Sequence, residues 1–364
     1  MTKQEKENGL YLGLMSGTSL DGLDVVAVQF QRGSGRRLGF RLVAGETLPY
    51  PEEWHRRLTH AYLAMGRELV QTHWEYGTWL GQQVAEFIQR HGLTGVVAVG
   101  SHGHTLFHDP DAGYTYQIGE GHALHEACGL PVVADFRSGN VARGGQGAPL
   151  VPYGDRTLFG QYAACINLGG FANISYEDAL QRRVAYDVAA CNGVLNLISQ
   201  RMGFPYDENG DMARSGQPSR RWIEWLNDLP YYQATPPKSL GKEWIDATLG
   251  PFLESTLMPQ DLLATYTRHL AFQLYQSLLP LKGQGNGEVL VTGGGAHNAF
   301  LIEETQRLLP GGLRLVVPEP ALIDFKEALI FALLARQWVL DQPNCLGSAT
   351  GVAKDQRLGV GYGF

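Results

Sequence analysis

Short apolar runs that end in polar, glycine-bearing turns recur along this chain, a pattern that predicts strands closing on tight turns. Leu10 to Met15 reads as one strand and Leu23 to Phe30 as the next. Val25, Val26, Ala27 and Val28 are apolar at consecutive positions, which predicts a strand covered on both faces. The two therefore read as a hairpin at the centre of a layered α/β sheet. Trp74 to Arg90 has helical spacing, with Leu80, Val84 and Phe87 on one face. Gly95 to Val99 predicts a strand entering a loop at Ser101, and Pro131 to Ala134 another running into Asp135, Phe136 and Arg137. Near Tyr162 the pattern starts again, with a strand at Ala163 to Leu168, a turn at Gly169 and Gly170, and a return from Phe171 to Tyr176. That echo is a weak repeat on the scale of a domain. Asn192 to Met202, Leu262 to Leu279 and Asn298 to Leu309 predict helices, and Glu288 to Val291 a strand ahead of three glycines. Met212 to Lys242, with several prolines and aromatics, reads as an irregular connection or an insertion over a cleft.

Composition narrows the class. At 364 residues, 44% apolar and 18% charged, the chain suits two domains with sizeable cores. Its 46 glycines lack the period of a fibrous protein and cluster where strands end, as in enzymes that bring backbone close to a ligand. The net charge of −7 and the lack of a basic stripe argue against nucleic-acid binding. Met1 to Gly9 is charged and no apolar segment follows it, so neither a secretory signal nor a membrane span is expected. Cys128, Cys165, Cys191 and Cys345 are widely spaced, which argues against a disulfide framework or a thiolate zinc site. The expectation is a cytoplasmic protein.

Three turns carry candidate chemistry. A bound triphosphate needs backbone N–H donors, small residues and hydroxyls. Neither Gly-x-x-x-x-Gly-Lys-Ser/Thr nor a Gly-x-Gly-x-x-Gly after a strand is present. Instead Gly17-Thr18-Ser19-Leu20-Asp21-Gly22-Leu23-Asp24 follows the first strand, and Asp21 or Asp24 would hold Mg²⁺ directly or through water. Asn167-Leu168-Gly169-Gly170, with Asn173, is the second turn, and Gly293-Gly294-Gly295 is the third, opening a helix. Any one alone is a common tight turn. Three, each at a strand end, favour a ligand.

Leu14-Met15-Ser16-Gly17-Thr18-Ser19-Leu20-Asp21-Gly22-Leu23-Asp24 resembles the N-terminal motif of the 1,6-anhydro-N-acetylmuramic acid kinases, a family of the actin–hexokinase–Hsp70 superfamily. The resemblance continues at Gln117 to Gly121, Asp135 to Arg137, Gly144 to Pro152, Asn167 to Gly170, Pro237 to Ser239 and Val291 to Gly295. It implies two ribonuclease-H-like (actin-like ATPase) α/β domains with an interdomain cleft. The expected division is 1–160 and 161–344, with the tail 345–364 joining the first domain. The Gly17 and Gly169 turns would grip the phosphates of ATP, and the Gly293 turn would lie near the adenosine. Homodimers are common in such a family.

Tyr186-Asp187-Val188-Ala189-Ala190-Cys191-Asn192 resembles the family segment whose aspartate is the catalytic base, which puts Asp187 in that role and Asn192 beside the sugar. The chemistry agrees. An anhydro sugar has no free O6, so its bridge must open as the phosphoryl group is transferred, and a carboxylate activating water toward C1 would do this. The plainer reading of Asp187 is a helix cap. Arg137, His102 and Gln117 would bind the sugar, Arg137 with its planar fork; its plainer reading is an ion pair with Asp135 or another surface acid. Departures fall mostly on the sugar side: Val188 to Cys191, Asn140 where an aspartate is usual, and His104 in place of a glutamine. The sugar is 1,6-anhydro-N-acetylmuramic acid or another anhydro sugar such as levoglucosan. A rival of another class is a zinc hydrolase on His102, His104 and His108, two of which would share one side of a strand.

Overall fold

The computed structural model describes residues 2–17, 20–32, 38–281, 287–309 and 311–364. Twelve strands are found among them: β1 Leu10–Ser16, β2 Leu23–Arg32, β3 Leu38–Leu48, β4 Val96–Asp109, β5 Tyr114–Ile118, β6 Val132–Ala134, β7 Ala164–Leu168, β8 Phe171–Glu177, β9 Arg183–Ala190, β10 Gly287–Thr292, β11 Leu313–Val316 and β12 Val360–Tyr362. The chain divides into two compact units, Met1–Leu158 with Phe325–Phe364, and Phe159–Asp324. Residues 325–344, expected with the second unit, group with the first. The reason lies in the packing of the helix Pro320–Val339, within which the division falls.

In the first unit the sheet order is β12-β6-β4-β1-β2-β3, with β5 paired to β4. The hairpin β1–β2 and the pair β2–β3 are antiparallel, whereas β4 runs parallel to β1 and β6 parallel to β4. The second unit repeats the scheme as β9-β8-β7-β10-β11, again two antiparallel pairs followed by two parallel ones. A shared order of third, second, first, fourth and fifth core strand is the ribonuclease-H-like arrangement, present twice.

Alternation along β1 sends Leu10, Leu12 and Leu14 into one apolar layer with Tyr76, Leu80, Val84 and Phe87 of the helix Gly66–His91. The opposite face of β1 and β4 carries Gly13 and Gly100, which are register partners. A Cβ on Gly13 would lie 1.8 Å from the Ala328 carbonyl oxygen, and one on Gly100 would lie 2.2 Å from that of Phe331. The two glycines thus form a slot into which the stretch Ala328 to Ala335, buried throughout, sinks against the sheet. An apolar segment with no exposed face needs such a seat. Among the described residues no helix is long and apolar enough to cross a membrane.

Two elements differ from the sequence reading. β4 does not give way to a loop at Ser101 but continues to Asp109, because β5 supplies a partner for its second half. Met212 to Lys242 is not irregular throughout; it contains the helices Arg220–Asn227 and Pro230–Gln233, and Leu226 of the first and Leu229 just ahead of the second are buried in the second unit's core.

Gly13→Ala is expected to lower the unfolding free energy by about 1–3 kcal/mol, the usual cost of overpacking. Gly66→Ala, with nothing within 4 Å of the added carbon, should leave the urea midpoint unchanged. Equal midpoints for the two variants would rule out the slot.

Candidate functional site

In the first unit the C-terminal end of β1 delivers Ser16 and the turn that follows. Thr18 and Ser19 of that turn lie outside the described residues. Gly17 and Leu20 close it, the Leu20 amide donating to the Gly17 carbonyl at 3.2 Å, with Leu20 at φ +60°. Asp21 is exposed, Gly22 and Leu23 are buried, and Asp24 already lies in β2, where its Oδ1 accepts from Thr47 Oγ1 at 2.6 Å. Sequence reasoning did not find what supports Ser16 from below. Tyr50 Oη donates to Ser16 Oγ at 2.6 Å and is 2.8 Å from Tyr76 Oη, while Ser16 Oγ is 2.9 Å from His104 Nδ1. With Tyr50 donating, the Ser16 proton goes to His104, so that ring accepts on Nδ1 and is neutral. Burial agrees, lowering the His104 pKa from 6.5 to about 4.

Beside it, His102 is buried and faces the other layer, its ring 4.8 Å from that of Phe331. The reading that put His102 and His104 on one side of a strand is corrected here: Gly103 between them has φ +71°, which breaks the alternation. His102 Nδ1 is 2.9 Å from the Gly103 carbonyl oxygen and must donate to it. Its Nε2 therefore accepts, from Arg137 Nε at 3.1 Å and Nη2 at 2.9 Å. Burial and the Arg137 charge hold His102 neutral. Arg137 also donates to the Gly147 carbonyl at 3.3 Å. Burial lowers its pKa to about 10, and attraction to Glu327 opposes the shift. The ion pair with Asp135 that sequence allowed is not formed; Asp135 Oδ1 accepts from the Ser138 amide instead. Gln117 joins the same region through Thr115 Oγ1 at 2.8 Å, which is also 2.9 Å from His108 Nδ1. Each of the three histidines thus has its own partner. Among the described residues no group of three or more His, Cys, Asp or Glu is placed to hold a metal ion.

Asn140 is fully buried and explains its own departure from the family pattern. Its amide donates to Thr350 Oγ1 at 3.0 Å and Gln356 Oε1 at 2.8 Å, and its Oδ1 accepts from the Gly147 amide at 2.7 Å. An aspartate has no proton to give those two acceptors when ionised.

In the second unit the candidates form a row. Thr292, Asn167, Asn173 and Asp187 are successive register partners across β10, β7, β8 and β9, so neighbours in the row share a face. Val188 has no partner, since Asn173 pairs with Asp187 while Ala172 pairs with Ala189. Such a bulge bends a strand and re-aims the side chain next to it. Asp187 is half-buried, its pKa raised by desolvation against a bond from the Leu240 amide to Oδ2 at 2.9 Å. It does not cap the helix Asn192–Gln200; Cys191 stands at that position. Val188, Ala189, Ala190 and Cys191 are all buried in the core, which accounts for the small apolar residues there.

The glycines of the second unit separate into two kinds. Gly293 has φ +80°, and a Cβ on Gly295 would lie 2.7 Å from Leu168 Cβ, so the fold itself requires both. Gly169, Gly170 and Gly294 are neither at positive φ nor crowded: an added Cβ would find nothing nearer than 3.6 Å at Gly169, nothing within 4 Å at Gly170, and nothing nearer than 3.8 Å at Gly294. Glycine with no internal reason to be there fits close approach of something external. The carbonyls of Gly169 and Gly170 accept from the amides of Asn192, Cys191 and Gly193, and Asn192 Nδ2 donates to the Leu168 carbonyl at 3.1 Å. The third turn does not open a helix as expected. A 3₁₀ turn Gly294–His297 intervenes, and Asn298 caps the helix Ala299–Leu308.

A family model described as anhydro-N-acetylmuramic acid kinase matches residues 9–363. The anhydro-N-acetylmuramic acid kinase of Legionella pneumophila (strain Lens) is 32% identical over 368 residues, covering 97% of this chain and 98% of its own length. That of Pseudomonas putida is 36% identical over 346 residues, or 90% and 92% of the two chains. Among solved structures, the activator of the 2-hydroxyisocaproyl-CoA dehydratase from Clostridium difficile with bound ADPNP is similar at 14% identity and a TM-score of 0.45, over 92% of this chain and 96% of that one.

Neutral buried histidines give stability a pH dependence of known sign. For His104 (about 4) and His269 (about 3) the folded pKa lies below the ordinary 6.5, so the unfolded chain binds more protons. Their contribution is complete above pH 6.5 and is lost as pH falls toward 4, at up to about 1.4 kcal/mol per pH unit for each group. The urea midpoint should drop between pH 7 and pH 5.5, and less steeply in His104→Asn. A midpoint that does not move would mean that these rings are not held neutral.

Proposed function

The chain belongs to the anhydro-N-acetylmuramic acid kinase family, as an ATP-dependent anhydro-sugar kinase and hence a phosphotransferase, and on that footing we propose its reaction in detail. It opens the 1,6-bridge of 1,6-anhydro-N-acetylmuramic acid with water and phosphorylates O6, giving N-acetylmuramic acid 6-phosphate and ADP. The observation that most supports this is Asp187, a half-buried carboxylate whose Oδ2 is fixed by the Leu240 amide and whose Oδ1 has no hydrogen-bond partner among the described residues.

Asp187 Oδ1 takes a proton from the water as its oxygen bonds to C1. The C1–O6 bond breaks, and O6 carries its electron pair to the γ-phosphorus as the bond from that phosphorus to the bridging oxygen of ADP breaks. A base with raised pKa suits the task, because it can hold the proton it has taken. Asn167 and Asn173 offer amide groups on one face of the sheet, and Thr292 beside them is buried with its hydroxyl on the Ile166 carbonyl. Gly169 and Gly170 let phosphate oxygens approach the backbone, Gly294 leaves similar room for the adenosine, and Gly293, Gly295 and Asn192 hold that backbone in place. In the first unit Gly17 to Asp24 performs the matching role, Arg137 presents its remaining N–H groups to the sugar with Gln117 beside it, and His102 acts there by orienting the Arg137 fork. Mg²⁺ fits the exposed carboxylate of Asp21, since it binds through one or two carboxylates together with phosphates and water. When bound it would neutralise phosphate charge.

Asp187→Asn should abolish sugar-dependent ADP release while ATP binding, followed by calorimetry, stays within a factor of about two. Full turnover in this variant would remove Asp187 from the base role. A panel of anhydro sugars identifies the substrate: stimulation by levoglucosan but not by the muramic sugar would overturn that choice of sugar. Gly170→Ala meets no internal clash, so it should leave the melting temperature unchanged and raise the KM for ATP about tenfold or more. An unchanged KM would reduce this turn to a structural one.

A further inference from the structure

Asp187 is held by a segment that the proposed reaction does not use. β9 is the outer strand of its sheet, and at the bulge it is released from β8, so the ladder alone does not fix Asp187. Three bonds from one stretch of chain do so instead. The Asp187 amide donates to the Lys238 carbonyl at 3.1 Å, the Asp187 carbonyl accepts from Tyr231 Oη at 2.6 Å, and Oδ2 accepts from the Leu240 amide at 2.9 Å. The stretch is also closed on itself. Lys238 Nζ donates to the Tyr231 carbonyl at 3.0 Å and sits 4.6 Å above the Tyr231 ring, a cation–π arrangement. Trp244 backs that ring at a centroid distance of 5.6 Å.

We propose that residues 229–240 form a strap that aims the Asp187 carboxylate, with Tyr231 and Lys238 as positioning residues; the inference rests on the reaction assigned above. Tyr231 and the Leu240 amide grip the residue at two points on opposite sides of its Cα, one on the main chain and one on the carboxylate. Together they fix both where the carboxylate starts and which oxygen is left for water. Burial pushes the Tyr231 phenol well above its usual range, so it stays a donor at every working pH. Lys238 acts one step back, fixing the Tyr231 ring. A general base must be placed to within a fraction of an ångström, and misplacement appears in kcat rather than in ground-state binding.

The test is steady-state kinetics of the full chain with ATP and 1,6-anhydro-N-acetylmuramic acid. Tyr231→Phe removes one hydroxyl and should lower kcat about tenfold or more, with both KM values within twofold and the melting temperature little changed. Lys238→Met should lower kcat in the same way. Lys238→Arg, whose guanidinium can donate to the same carbonyl and stack on the same ring, should recover most of it. Wild-type kcat in both Tyr231→Phe and Lys238→Met, or a rise in KM at constant kcat, overturns the strap. Asp187→Asn run in parallel separates the two claims. If it is inactive while the strap variants are normal, only the strap fails; if it is active, the base assignment fails and takes the strap with it.

Discussion

The depth to which the stretch Ala328 to Ala335 sinks into the first sheet is the constraint on which that unit depends. Gly13 and Gly100 permit it, and every later contact on that face takes its distance from the helix they admit. Phe331 lies under the His102 ring and 5.7 Å from the Phe136 ring. His102 in turn fixes two of the three guanidinium nitrogens of Arg137. Two missing methyl groups therefore decide where a charged fork is held some distance away. The chain of cause runs from sequence through packing to the charged group proposed above to face the sugar.

The two units achieve orientation by different means. In the first, buried rings kept neutral act as oriented donors and acceptors: Tyr76 and Tyr50 feed a directional hydrogen-bond chain through Ser16 to His104, and Arg137 donates to His102, which donates in turn to the Gly103 carbonyl. A charged His104 would reverse its bond with Ser16, and a charged His102 would add a buried cation next to Arg137. In the second unit the sheet itself supplies a polar row, and one bulge turns the last member of it. Asp187 ends that row, and desolvation there favours its protonated form.

Much of this was legible in the chain. Both hairpins, β1 with β2 and β7 with β8, announce themselves because an apolar run stops at glycine and starts again within a few residues. The three glycine turns and Asp187 could be found from local sequence and family pattern. What could not be read is what lies far apart in the chain. His104 meets Ser16 at a separation of 88 residues, and Leu240 reaches Asp187 across 53. The chain was expected to enter a loop at Ser101, whereas β5 keeps β4 going and Gly103 only breaks the alternation of side chains along it. The five glycines of the second and third turns looked alike until the space around each was known.

The second unit lies between two parts of the first in the sequence, at 159–324. A ribosome therefore finishes β1 and β4, with Gly13 and Gly100 uncovered, before it begins an entire second unit, and only afterwards makes the helical stretch that fills them. Domains fold as units during synthesis, so the later segment can mature first while the earlier one waits with apolar backbone open to solvent. The glycine seat that gives the finished sheet its close packing is, during translation, an apolar surface left open until the last part of the chain is made.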